Sequence, residues 1–162
     1  NNEYFKSNIK TEFEKRRVDS SRIIFAQRVE LMADHLARYA LADIFLDTLP
    51  FNAHTTAVDS LKSGIPVLTL IGKSFASRVA ASLLNAIGLP ELITNTQEEY
   101  EALAIELALN PMKLADIKLK LANNRLTTPL FDTPLFTKNI EAAYIKMHER
   151  CLAGLPPECI YV

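Results

Sequence analysis

Apolar residues along this chain change their spacing repeatedly, and each change marks an element. Tyr4 or Phe5, Ile9 and Phe13 recur at helical spacing among charges, which predicts an amphipathic helix over "NNEYFKSNIKTEFEKRR" that "VDSS" interrupts. "RIIFA", Arg22 to Ala26, reads as a short apolar strand, and Leu31 to Tyr39 as a helix. "ADIFLDTL" carries a strand around Ile44 to Leu46, Thr56 to Ser63 is a helix closed by Gly64, and "IPVLTLI" is a third strand. Gly72 opens a loop, Phe75 to Ala86 is a helix that Gly88 stops, "PELIT" is a brief fourth strand, and Thr96 to Leu109 is helical. Beyond Pro111 the pattern is helical only. Lys113 to Asn123 forms one helix, "TTPLFDTP" a rigid turn region, and Leu135 to Leu152 a long helix with Ile140, Tyr144 and Met147 on one face.

Nearly all-apolar strands separated by helices predict a parallel sheet covered on both faces, because parallel neighbours need crossovers and right-handed crossovers put helices there. The expected class is α/β, a doubly wound, Rossmann-like parallel sheet with a helical C-terminal part over 111–162. One domain over 1–162 is expected, since no repeat, low-complexity tract or long linker divides the chain. In such sheets ligands bind beyond the carboxyl ends of the strands. That selects three segments: Gln27 to Glu30, Asp47 to Thr56 and Gly72 to Ser74. The second is the longest and most polar.

Composition narrows the partners. With 162 residues, 49% of them hydrophobic and 23% charged, the chain can bury one core. A formal net charge of -1 supplies no broad positive field, so neither nucleic acid nor anionic lipid is expected as a partner. No apolar run approaches the roughly 18 residues of a membrane span, and a cytoplasmic location is expected. Cys151 and Cys159 lack metal-ligand spacing and read as free thiols. A first residue of Asn instead of Met is what a piece of a longer chain would show. There is no G-x-G-x-x-G after the first strand, no P-loop, no metal cluster and no nucleophile elbow.

Two groups of residues remain. In "HTTAVD", Thr55 or Thr56 is a suitable N-cap, and the first helical turn presents N–H groups with partial positive charge, a ready anion site. The threonine hydroxyls and His54 add donors, and Asp59 lies one turn on, where a carboxylate can accept both hydroxyls of a ribose. Phosphate plus ribose means a nucleotide, although a threonine cap followed by an acid is also ordinary helix chemistry. In "MADHLARYALAD", His35 and Arg38 stand three apart and share a helix face, suited to stacking on a base and to donating to its carbonyls or to phosphate, and equally to a solvated surface. His148, on the last helix, reads as structural.

The stretch "LADIFLDTLPFNAHTTAVDSLKSGIPVLTLIGKSFASRVAASLLNAIGLPELI" resembles the C-terminal half of the catalytic region of O-linked N-acetylglucosamine transferases and their bacterial Spindly-like relatives. The likeness runs from about Arg22 to Gly154, and "HTT" followed by Asp59, "FASRVAAS" and "GLPELI" are its most specific parts. The resemblance implies the donor-binding half of a two-domain GT-B glycosyltransferase, independent of metal and without a cofactor, which moves a sugar, by default N-acetylglucosamine from UDP-GlcNAc, to Ser or Thr of an acceptor protein. It implies that His35 stacks near the base with Arg38 beside it, that the backbone of Val29 and Glu30 reads the base edge, that Thr55 and Thr56 with His54 bind the diphosphate, and that Asp59 holds the ribose. Met32 stands where animal members carry a lysine. The N-terminal catalytic domain and the helical repeats that belong to the family are not in this stretch, so the chain alone is expected to transfer no sugar. A sugar-nucleotide isomerase of similar architecture and a non-catalytic interaction module are the alternatives.

Overall fold

The computed structural model describes residues 2–162; Asn1, where the predicted N-terminal helical stretch begins, lies outside the described residues. The chain divides into two compact units, Asn1–His35 and Leu36–Val162.

In the first unit, α1 (Glu3–Lys15) starts at Asn2, whose side-chain oxygen accepts the Tyr4 N–H, and it carries Glu3 in its first turn and Lys15 in its last, as the helix dipole favours. It buries no residue. Arg17, at φ 58°, turns the chain away. The strand expected over "RIIFA" is not formed. Ser20–Arg22 is a 3₁₀ turn in which the Asp19 carboxylate accepts the Ser21 N–H, and residues 23–29 belong to no helix or strand ladder among the described residues. An apolar run becomes a strand only where a neighbour takes its N–H and C=O groups, and Ile24, 88% exposed, has no such cover. α2 (Met32–Ala37) and the 3₁₀ turn Arg38–Leu41 together realise the helix predicted from Leu31 to Tyr39.

The second unit holds a three-stranded parallel sheet in the order β1 (Phe45–Leu46), β2 (Val67–Leu70), β3 (Ile93–Thr94). Phe45 stands opposite Val67, and Thr69 opposite Ile93. β1 and β2 are joined through α3 (Thr55–Lys62), and β2 and β3 through the 3₁₀ turn Phe75–Ser77 and α4 (Val79–Ala86). The parallel α/β class expected from the alternation is the one found. Three of the four β2 residues are buried, the mark of a strand covered on both faces. Leu61 of α3, Val67, Leu84 of α4, Leu89, Leu92 and, from the helices that follow, Leu107 and Leu121 form the core.

Helices α5 (Gln97–Leu109), α6 (Pro111–Thr127) and α7 (Thr133–Leu152) complete the chain, each opened by a side-chain cap, from Thr96, Asn110 and Asp132 respectively. α7 buries none of its residues, His148 included. Both cysteines are free and exposed. Among the described residues no helix is long and apolar enough to cross a membrane.

Candidate functional site

The loop that leaves β1 at its carboxyl end and enters α3 lines a cleft of about 270 Å³ together with residues of the strand. Its geometry is set by a residue that the periodicity does not flag. Asp47, directly after β1, is 7% exposed. Its Oδ1 accepts the N–H groups of Thr48 and Ala53 at 2.8 and 2.7 Å, and its Oδ2 accepts the Thr69 hydroxyl at 2.7 Å. The Thr48 hydroxyl donates to the Phe51 carbonyl, the Asn52 side-chain N–H to the Thr48 carbonyl, and the Asn52 backbone N–H to the Ala76 carbonyl. These bonds fix the loop's course, while the buried Asn52 Oδ1 has no partner.

The cap of α3 differs from expectation. His54, not a threonine, occupies the N-cap, and its side chain makes no cap hydrogen bond. Its ring instead stacks on Phe51 at 4.8 Å and 21°, meets Phe75 edge-on at 6.2 Å, and brings Nε2 to 3.5 Å from the Ala76 carbonyl. A ring held this way cannot turn back to accept an N–H from the first turn, so the cap falls to the backbone: the His54 carbonyl accepts from both Ala57 and Val58. Thr55 and Thr56, the first two helical residues, are exposed, and among the described residues no protein acceptor takes their N–H groups or hydroxyls. Helix N–H groups left this way carry the positive end of the dipole.

Arg38, Thr56 and Asp59 come together around Tyr39. The Tyr39 hydroxyl donates to the Thr56 carbonyl at 3.3 Å. Burial raises the Tyr39 phenol above its ordinary pKa, the Asp59 charge raises it further, and Arg38 opposes both. Val29, Glu30 and His35 belong to the smaller unit, where Val29 and His35 are half-buried and Glu30 is exposed. Asp47, Asn52, Phe51 and Tyr39 were missed from sequence. The available signal for Asp47 was a lone acid placed right after an apolar strand, on the edge where ligands bind.

Parallel α/β architecture with an open helix N-terminus at the carboxyl edge defines a domain class suited to anions. The chain belongs to glycosyl transferase family 41, whose description "Glycosyl transferase family 41" matches residues 4–140. It is 44% identical over 142 residues to the probable UDP-N-acetylglucosamine–peptide N-acetylglucosaminyltransferase SEC of Arabidopsis thaliana, covering 87% of this chain and 14% of that one. It is 38% identical over 141 residues to the UDP-N-acetylglucosamine–peptide N-acetylglucosaminyltransferase of Caenorhabditis elegans, covering 87% and 12%. A solved structure of a mutant O-GlcNAc transferase from Thermobaculum terrenum superposes with a TM-score of 0.84 at 34% identity, over 92% of this chain and 29% of that one. The chain therefore spans only a small part of the length of the curated relatives it matches, 14% and 12% of the two named.

Proposed function

We propose that this chain is the donor-binding half of the catalytic region of a protein O-glycosyltransferase, which takes N-acetylglucosamine from UDP-GlcNAc and places it on Ser or Thr of an acceptor protein. The observation that carries the reading is the exposed first turn of α3, where the N–H groups and hydroxyls of Thr55 and Thr56 face no protein acceptor beside a cleft. Two phosphate oxygens fit there, and His54 stands next to them. The names of the relatives point to the same donor. Asp59, one turn further along α3, is the acceptor for the ribose hydroxyls, and Arg38 is the charge near base and phosphate. The resemblance gives His35 the stacking role at the base and the backbone of Val29 and Glu30 the reading of its edge.

Groups that hold a diphosphate in the donor also hold it as it departs, and charge that develops on a leaving group is stabilised by fixed dipoles that need no reorganisation. Thr55 and Thr56 therefore assist both binding and departure, and Asp59 assists binding through the ribose. The acceptor groove and the general base belong to an N-terminal catalytic domain, helical repeats precede that domain, and the whole protein works in the cytoplasm; this chain alone transfers no sugar.

Thermal unfolding with and without uridine diphosphate tests the reading. A ligand that binds only the folded form at a hundredfold excess over its Kd adds about 2.7 kcal/mol, a clear rise in Tm, and Asp59→Ala or Thr55→Val cuts that rise by about half or more. A well-folded chain whose Tm is indifferent to uridine diphosphate overturns the proposal.

A further inference from the structure

The carboxylate of Asp47 stands in an unexpected place. An acid beside an anion site opposes the anion, so its presence in the wall of the cleft calls for another role. Its oxygens are occupied by protein donors. Oδ1 takes the N–H groups of Thr48 and Ala53, the two ends of the loop before His54, and so closes residues 48–53 into a ring. Oδ2 takes the hydroxyl of Thr69 in β2, a residue whose own carbonyl is held by the Thr94 hydroxyl of β3. The ring is therefore fastened to the sheet through one side chain, and α3 starts two residues past Ala53, with its N-cap His54 between.

We infer that Asp47 is a positioning residue: through the Ala53 N–H it fixes where His54, Thr55 and Thr56 stand relative to the sheet. Its consequence for ligand rests on the donor-binding reading; the placement of the loop stands apart from it. Asn at this position keeps the geometry, because an amide oxygen still accepts both N–H groups and the amide N–H₂ can donate to a rotated Thr69 hydroxyl. Ala removes every bond of the side chain.

Amide hydrogen exchange and calorimetry with uridine diphosphate, carried out on the chain and on Asp47→Ala, Asp47→Asn and Leu107→Ala, test this. In Asp47→Ala the Ala53 amide exchanges at least about tenfold faster and the affinity falls about tenfold or more, while Asp47→Asn stays within about threefold of the unaltered chain in both. Leu107→Ala, a core change on α5 that removes none of the Asp47 hydrogen bonds, lowers stability and leaves the affinity of the folded protein alone. Unchanged exchange at Ala53 in Asp47→Ala, or a freed loop with undiminished affinity, overturns the inference. If Asp47→Ala does not fold, Thr69→Val gives the graded form: Ala53 must exchange faster while amides of α5 do not, and equal acceleration in both overturns it. No binding of uridine diphosphate by the unaltered chain overturns the donor-binding reading, and the exchange pattern then still decides whether Asp47 places the loop.

Discussion

Tyr100, on α5, donates its phenolic hydroxyl to the backbone carbonyl of Asp47 at 2.8 Å, tying a helix that follows β3 to the residue that follows β1. The phenol's pKa is pushed up to about 12, first by burial and then by the charge of Asp47. Ionisation would also remove the proton that makes the bond.

A pH dependence follows. The folded pKa lies above the unfolded value of 10.0, so the stability that Tyr100 contributes is complete below about pH 10 and fades as the pH rises toward about 12. Urea unfolding across that window should show a falling midpoint whose alkaline limb is shallower in Tyr100→Phe. At neutral pH the same variant leaves the Asp47 carbonyl without its partner and costs about 1 kcal/mol. Equal alkaline slopes in the two proteins would count against the bond.

Tyr39 reports on the candidate site without any ligand. Burial and then Asp59 raise its pKa, and Arg38 lowers it. Alkaline titration followed by ultraviolet difference absorbance, with Tyr39→Phe subtracted to isolate this phenol among the five tyrosines, should move downward in Asp59→Asn and upward in Arg38→Met. Opposite or absent movements would mean that the two charged groups do not face this ring.

Much of the second unit was readable because its signals are local. Gly64 and Gly88 close helices at φ 86° and 72°, where a side chain is strained, and the run Val67 to Ile71 before Gly72, apolar except for Thr69, is the pattern of a parallel strand buried on both faces. The cleft was readable as a place because topology puts loops there. Its internal wiring was not. Asp47 meets Thr69, 22 residues away, and Tyr100 meets Asp47 across 53, and nothing in either neighbourhood announces a partner at such a distance. The same blindness produced the strand at "RIIFA": apolar, β-branched composition reports a preference for extension, while a strand also needs a neighbour. His54 holds the N-cap position with its ring stacked on Phe51, a contact that the threonine-cap rule does not take into account.

Gly72 is required by contact. A Cβ built there would lie 2.3 Å from the Ser77 Oγ and 2.6 Å from its Cβ, and Ser77 is buried and locked in reciprocal bonds with Ser74. Gly72→Ala must displace the turn that begins the Phe75–Ser77 segment, at a cost of about 1–3 kcal/mol as for other overpacked sites. Gly154→Ala, at φ 67° with nothing near its Cβ, bears only left-handed strain of about 1–2 kcal/mol on a terminal helix that buries nothing. Denaturant melts of the two variants should rank Gly72→Ala as the more damaging, and the reverse order would show that the Ser74–Ser77 turn yields easily.

Separate chemistry at the two ends of the first turns of α3 leads to separable losses. If Thr55 and Thr56 hold phosphate oxygens and Asp59 holds a ribose, then Thr55→Val should weaken uridine diphosphate and inorganic pyrophosphate alike, by roughly tenfold for a hydroxyl that donates to a charged oxygen. Asp59→Asn should weaken only uridine diphosphate. Toward pyrophosphate it should be neutral or slightly favourable, because it removes a negative charge about one helical turn from the anion. Calorimetric titration of both ligands into both variants reads the four values directly. A loss of pyrophosphate affinity in Asp59→Asn as large as the loss for uridine diphosphate would show that Asp59 supports the helix terminus instead of recognising a sugar.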